Sequence, residues 1–197
     1  PRGMLALPTG QIVLSDYVHH VVRLFNPATG SLTPLAGAYD QGGFVNATGE
    51  AARFRQPYGM ARLVDGSIAV ADHENHAIRR LTLAGEVSTL VGTGDAGYAN
   101  GSASSAQFDL PQDVALAPDG SLYIADSRNG SIRRLVGDQV TTFAGNGDRG
   151  YADGDDLATA QFYGLEGIDI ANGSLYVADG NHGEFADYHR IRVVELP

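Results

Sequence analysis

Short apolar runs alternate with turn residues along this chain, and one such segment returns four times. A glycine begins the segment, five mostly apolar residues follow, and an aspartate ends it. The copies lie at 10–16, 66–72, 120–126 and 173–179, so the closing aspartates recur every 53 to 56 residues. Recurrence at this period indicates one supersecondary unit whose faces are buried against neighbouring units.

Each unit contains four apolar runs, too short for helices and rich in Val, Ile, Leu and Tyr. Turn residues separate them, as in Pro118-Asp119-Gly120, where Pro presets one backbone angle and Gly supplies a positive one. The pattern predicts a four-stranded antiparallel meander, which is a propeller blade, in an all-β chain. In the third unit the predicted strands are 114–116, 121–125, 132–135 and 140–143.

The repeats divide the chain into one propeller region of four blades, 1–197. The last blade ends after its third predicted strand, so a part of a larger ring is favoured over a closed ring of four blades. The predicted blades are 1–37, 57–92, 111–145 and 165–197, and the predicted long linkers are 38–56, 93–110 and 146–164.

Two motifs resemble the NHL repeat in its long-linker variety. The segment 72–79, Asp-His-Glu-Asn-His-Ala-Ile-Arg, is similar to the core of that repeat, and 126–133 repeats it with Gly130 in place of His. The linker motif Ala-Gln-Phe at 106–108, followed by Pro111, matches the linkers of the family. The resemblance covers nearly the whole chain and implies a β-propeller, commonly six-bladed.

Composition and charge narrow the classes of partner. Apolar residues make up 43% of the chain and charged residues 18%, which is typical of a globular protein, and no apolar run approaches a membrane span. The net charge of −10 argues against nucleic acid as a partner. Cysteine is absent.

Four triplets fit the N-glycosylation pattern, and they favour a secreted or cell-surface glycoprotein. The triplets begin at Asn46, Asn100, Asn129 and Asn172.

A ring of polar residues is predicted at the mouth of the central channel. The second position of each unit follows a proline or Leu165 at the start of an inner strand, and equivalent positions of a propeller converge on its axis. Convergent polar groups in a concave site are typical of ligand binding, whereas the alternative is a set of variable, solvated positions. The four predicted ligand-binding residues are Arg2, Tyr58, Gln112 and Glu166.

An insert in the fourth unit breaks the repeat. It lengthens the spacing from Asp to Arg from 7 residues to 13, and such departures often add specificity, although a tolerated surface insertion is an equal alternative. The predicted partner-binding loop contains His182, Glu184, Phe185, Asp187 and Tyr188.

Two patterns suggest metals, and for both a structural role is favoured. The linker motif Asp-x-Gly-Tyr-x-Asn/Asp-Gly at 95–101 and 148–154 alternates oxygen ligands around a glycine, as calcium loops do. An Asx-stabilised loop with its aromatic ring between blades is the favoured interpretation. His20, His76 and His189 recur at one repeat position and would bind zinc only if they converged, which a ring arrangement disfavours. No cofactor is therefore predicted, with calcium as the alternative.

The function favoured by these observations is a non-catalytic module that binds a protein or glycan partner. The recurring arginines at 23, 79, 133 and 192 are interpreted as structural, each reaching the aspartate that ends the preceding strand. The alternative is a metal-dependent propeller enzyme of the lyase or lactonase kind. It rests on Glu166-Gly167, which resembles an inner-strand metal ligand of gluconolactonase-like proteins.

Overall fold

The computed structural model describes residues 1–154, 156–180 and 189–197. In this part of the chain, short strands form four antiparallel sheets, and the only helical elements are three 3-10 turns. Those turns are Gly49–Ala51, His73–Asn75 and Ser127–Asn129. No helix among the described residues is long and apolar enough to cross a membrane.

The first two blades are four-stranded meanders whose strands pair in chain order. The strands of blade 1 are β1 (Gly3–Ala6), β2 (Ile12–Asp16), β3 (Val21–Asn26) and β4 (Ser31–Ala36). The strands of blade 2 are β5 (Pro57–Arg62), β6 (Ile68–Asp72), β7 (Ala77–Leu81) and β8 (Val87–Val91).

Blade 3 has five strands, one more than the first two blades, and blade 4 has three among the described residues. Blade 3 gains β9 (Gly101–Ser102) from the preceding linker, beside β10 (Pro111–Leu116), β11 (Leu122–Asp126), β12 (Ser131–Val136) and β13 (Gln139–Ala144). Within the described residues blade 4 has three strands, β14 (Leu165–Ala171), β15 (Ser174–Asp179) and β16 (Arg190–Glu195).

The sequence prediction of an all-β propeller with an incomplete fourth blade is confirmed. All four predicted strands of the third unit are present, each within three residues of its predicted ends. Strand β9 was not predicted, because two small residues in a linker carry no alternating pattern.

Hydrophobic residues hold successive blades together face to face. Inner strands of neighbouring blades are adjacent, in the order β1, β5, β10 and β14. One apolar cluster lies between each pair of blades, and each contains a fully buried phenylalanine from the linker that joins the pair. These rings are Phe54, Phe108 and Phe162. The linkers are therefore part of the core between the blades.

A buried arginine fixes each linker to the blade that follows it. The Arg79 guanidinium donates to the Asp72 carboxylate at 2.7 Å, as predicted from the repeat. It also donates to the carbonyl oxygens of Arg53 and Val45 at 3.0 and 3.1 Å. Its carbon lies 4.5 Å from the ring centroid of Phe44, so charge, hydrogen bonds and packing coincide.

Blades 3 and 4 repeat this arrangement, and blade 1 has a weaker form of it. Arg133 donates to Asp126 at 2.7 Å and to two linker carbonyls, and Arg192 donates to Asp179 at 3.0 Å. In blade 1 the distance from Arg23 to Asp16 is 3.5 Å. The strong anchor therefore occurs where a preceding linker supplies carbonyl oxygens.

Asp72 and Asp126 do not cap the turns that follow them. Asp72 accepts the backbone N–H of Arg55 at 2.7 Å, and Asp126 accepts that of Asp109 at 2.8 Å. Each donor lies 17 residues earlier, in the linker. The carboxylates stabilise the long-range path of the chain because their own turns close through 3-10 hydrogen bonds.

We expect Arg79→Met to lower the free energy of unfolding by about 3–5 kcal/mol, because it leaves the Asp72 carboxylate buried without its charged partner. Urea denaturation measures the change. Arg80→Met is the matched control, since Arg80 is half-exposed and pairs with Asp65 on the surface. Its expected cost is under about 1 kcal/mol. Equal losses in the two variants would contradict the structural role of Arg79.

Candidate functional site

The inner strands bring the four predicted mouth residues to one cavity. Arg2 directly precedes β1, and the other three are the second residues of β5, β10 and β14, so the propeller arrangement places all four around a common axis. Their cavity has a volume of about 520 Å³ and also contains residues from deeper along all four inner strands. The predicted convergence of Arg2, Tyr58, Gln112 and Glu166 is present, and their role in ligand binding stays a prediction.

An aromatic and cationic group forms one side of the mouth. The Arg2 guanidinium carbon lies 5.2 Å from the ring centroid of Tyr17 and 5.3 Å from that of Tyr58. The Tyr58 ring also packs against His73, with 4.4 Å between centroids. Burial raises the pKa of Tyr58, so its hydroxyl is a neutral hydrogen-bonding group at neutral pH.

Gln112 is a largely buried residue whose side-chain amide reaches the cavity. Its exposed fraction is 4%, it lines the cavity, and its side-chain amide makes no hydrogen bond with any described residue. An amide offers two donor hydrogens and an acceptor oxygen. Because buried polar groups are usually paired, this amide is available to water or to a ligand in the cavity.

Asp113, beside Gln112, was missed by the sequence prediction. The other three blades have glycine at its position, at 3, 59 and 167. Its carboxylate accepts the backbone N–H of Val114 at 2.9 Å and that of Ile168, in the next blade, at 3.0 Å. Burial raises its pKa to about 6, and the negative charge of Asp169 adds to the shift.

A departure from the repeat was the signal that could have identified Asp113. Three of the four units share a glycine there, and at Gly3 and Gly59 the neighbouring inner strand leaves no room for a Cβ, whereas the nearest atom to a Cβ on Gly167 is 3.6 Å away. A Cβ built on Gly59 would lie 2.7 Å from the Cα of Asp113, closer than packed carbons allow. An aspartate at such a position is unusual, and its side chain lies in the same cavity as the mouth residues.

The predicted partner-binding loop lies outside the described residues. Its members are His182, Glu184, Phe185, Asp187 and Tyr188. Their role stays a prediction.

Several of the groups considered as metal ligands have partners within the protein. The Asn100 side-chain oxygen accepts a hydrogen bond from Arg133 at 2.7 Å, and the Tyr98 ring packs on the same guanidinium at 4.7 Å. His20 and His76 accept linker backbone N–H groups at 3.0 and 3.2 Å. The described part of the chain holds no group of three His, Cys, Asp or Glu placed for a metal.

The asparagines of the glycosylation triplets differ in their surroundings. The Asn129 amide nitrogen donates to the Gly97 carbonyl at 2.8 Å and to Asp126 at 2.9 Å, so both of its hydrogens are used. Asn172, by contrast, is exposed in the turn between β14 and β15. If the chain is glycosylated, Asn172 is the better acceptor in the folded state.

We expect Asp113 to make stability depend on pH. Because its folded pKa is about 6, above the ordinary value of 3.8, the folded state binds the proton more tightly. The wild type should gain up to about 3 kcal/mol from this group as the pH falls from 7 to 4. Denaturation of wild type and Asp113→Asn across this range measures it.

The variant isolates this group because Asp72 and Asp126, whose burial also raises their pKa values to about 6, titrate in both proteins. Asp113→Asn should therefore show a smaller gain on acidification. Identical pH profiles for the two proteins would contradict the assignment.

Comparisons with known proteins agree with this architecture. The family model of the NHL repeat matches residues 108–135, which contain β10, β11 and most of β12. A curated relative, Protein SUPPRESSOR OF QUENCHING 1, chloroplastic, of Arabidopsis thaliana, is 37% identical over 82 residues. The match covers 41% of this chain and 8% of that protein.

Solved structures resemble nearly the whole chain. A protein of unknown function from Bacteroides thetaiotaomicron has a TM-score of 0.78 at 20% identity, over 98% of this chain and 47% of that one. An auxiliary nutrient binding protein from the same organism has a TM-score of 0.73 at 21% identity, over 98% and 48%. A streptogramin B lyase has a TM-score of 0.56 at 15% identity, over 98% and 54%.

At these identities the likeness shows the fold alone. The chain spans about half the length of these solved structures. Its matched repeat contains the Asp126–Arg133 pair, which the other blades reproduce. Residues 108–135 therefore match the NHL repeat, and the described part of the chain has an all-β, propeller-type architecture.

Proposed function

We propose that the chain is a non-catalytic binding module whose channel mouth receives a polar group of a protein or glycan partner. The observation that carries the proposal is Gln112, an amide that is 4% exposed, unpaired among the described residues and directed to a cavity. The amide is not among the fully buried polar atoms that lack a partner, so it faces the solvent of the cavity, where a ligand can exchange hydrogen bonds with water for hydrogen bonds with Gln112.

The charges around Gln112 suit a ligand with both donor and acceptor groups. Arg2 supplies a cation on one wall of the cavity, and Glu166 and Asp169 supply carboxylates on another. The inner strands hold Gln112, Glu166 and Asp169, so these side chains lose little conformational entropy when a ligand binds. A few polar groups fixed in a concave site are characteristic of small-ligand pockets.

Binding is favoured over catalysis by the residues at the mouth. The alternative of a metal-dependent lyase or lactonase needs a set of ligands that the described residues do not assemble. Similar solved structures include both an auxiliary nutrient binding protein and a streptogramin B lyase, so the fold is compatible with either class. A secreted or cell-surface location, suggested by the asparagine triplets, is part of the proposal.

We expect labelled protein to select ligands from a glycan array or a peptide array, and mouth variants to weaken that binding. Calorimetric titration of each selected ligand should give a loss of about tenfold or more for Arg2→Ala and for Glu166→Gln, because each removes a charged hydrogen-bonding group. Thermal melting checks that both variants remain folded.

Charge-matched controls come from the linker between blades 1 and 2. Arg55→Ala and Glu50→Gln change exposed residues outside the cavity and should alter affinity by less than twofold. Failure of both arrays to yield a ligand would contradict a binding module. Unchanged affinity in the mouth variants would place the site elsewhere.

A further inference from the structure

Blades 3 and 4 give the cavity of the channel mouth an acidic wall. It consists of three carboxylates, one from β10 and two from β14, which are Asp113, Glu166 and Asp169. The arginines that also line the cavity, Arg2 and Arg62, lie in blades 1 and 2. Among the described residues, blades 3 and 4 therefore contribute only negative charge to this cavity.

Two carboxylates of the acidic wall differ from the aspartates of the repeat. Asp72, Asp126 and Asp179 each pair with an arginine of their own blade. Asp113 and Asp169 form no ion pair with any arginine or histidine in the described part of the chain. Their negative charges are therefore not neutralised by the protein residues described.

Backbone groups alone hold the Asp113 carboxylate in place. It accepts the N–H of Val114 at 2.9 Å and that of Ile168 at 3.0 Å. Burial raises its pKa to about 6, with a contribution from the negative charge of Asp169, so the group is still mostly ionised at pH 7. A cation beside it would stabilise this charge.

The Gln112 side chain indicates independently that a ligand binds beside the acidic wall. It directly precedes Asp113 in β10, it is 4% exposed, and it lines the same cavity. Its amide makes no hydrogen bond with any described residue. The amide oxygen can accept a hydrogen bond from the same group that the carboxylates attract.

The charge of the whole protein favours cations at this wall. The net charge is −10, and a cleft lined by one sign of charge concentrates ligands of the opposite sign. Burial raises the pKa of Tyr58, and the negative charge of Glu166 adds to the shift, so the field of the wall reaches across the mouth. A cationic ligand is therefore favoured over a neutral or anionic one.

We propose that the acidic wall binds a basic side chain of a protein partner, whose ammonium or guanidinium group lies between Asp113, Glu166 and Asp169. The inference rests on the proposed function and specifies its partner. An ammonium has three donor hydrogens and a guanidinium five, so one such group can serve carboxylates of two strands at once. The hydroxyl groups of a glycan carry no charge to match the wall.

We expect a capped peptide, acetyl-Gly-Lys-Gly-amide, to bind the 197-residue protein saturably in an NMR titration, and the matching arginine peptide to do the same. The amide signals of Val114 and Ile168 should shift, because both groups donate to Asp113. Norleucine in place of lysine removes the charge and should weaken binding about tenfold or more. The protein is first freed of metal ions with a chelator.

Two aspartate variants test the acidic wall from the side of the protein. Asp169→Asn removes one exposed charge of the wall and should weaken binding of the lysine peptide about fivefold or more. Asp40→Asn makes the same change in net charge at an exposed linker residue outside the cavity. Its φ of 59° suits asparagine, and affinity should change by less than about twofold. Thermal melting checks the fold of both variants.

Four results would overturn the inference. They are no saturable binding of the lysine and arginine peptides, equal affinity of the lysine and norleucine peptides, equal losses in the two variants, and stronger binding of calcium chloride than of the lysine peptide at the same amides. In the last case the wall would be a metal site.

The inference and the proposed function fail in different ways. Preference of the mouth for acetyl-Gly-Glu-Gly-amide over the lysine peptide would overturn the cationic ligand and leave the binding role intact. Failure of both arrays to yield any ligand contradicts the binding role itself.

Discussion

A buried guanidinium that joins each blade to the preceding linker is the interaction on which this structure depends. Arg79 and Arg133 are fully buried, and each pairs with a buried aspartate of its own blade. The terminal nitrogens of each guanidinium donate to the aspartate and to linker oxygens, while its Nε has no partner among the described residues. Pairing stabilises a buried cation, so the linker follows the path that brings its carbonyl oxygens to the guanidinium. Linker, blade and interblade core therefore form together.

The same anchor positions the channel mouth. The aspartate that binds the arginine also accepts a backbone N–H two or three residues before each mouth residue, from Arg55 in blade 2 and Asp109 in blade 3. In blade 4, Asp179 accepts the N–H groups of Tyr163 and Gly164. The mouth therefore owes its geometry to groups buried away from the cavity.

The sequence repeat made much of this structure predictable. The features that were not predicted are a residue that departs from the repeat and a hydrogen bond between distant positions. Four copies of one strand pattern indicated the blades, the Asp–Arg pairs and the convergence at the mouth. Asp113 was overlooked because comparison of units emphasises what they share, and its importance lies in replacing a glycine. The linker partner of Asp72 was missed because a hydrogen bond across 17 residues has no local sequence signal.

Each anchoring arginine binds linker residues that precede it in the sequence, so the order of synthesis on the ribosome determines when these contacts form. Arg79 holds the carbonyl of Val45, which precedes it by 34 residues. A nascent chain that emerges at roughly 5–20 residues per second exposes this linker about two to seven seconds before its arginine arrives. The contacts between a linker and the blade that follows it thus form only after the arginine strand of that blade has emerged. Folding of each linker therefore lags behind its synthesis by part of one repeat.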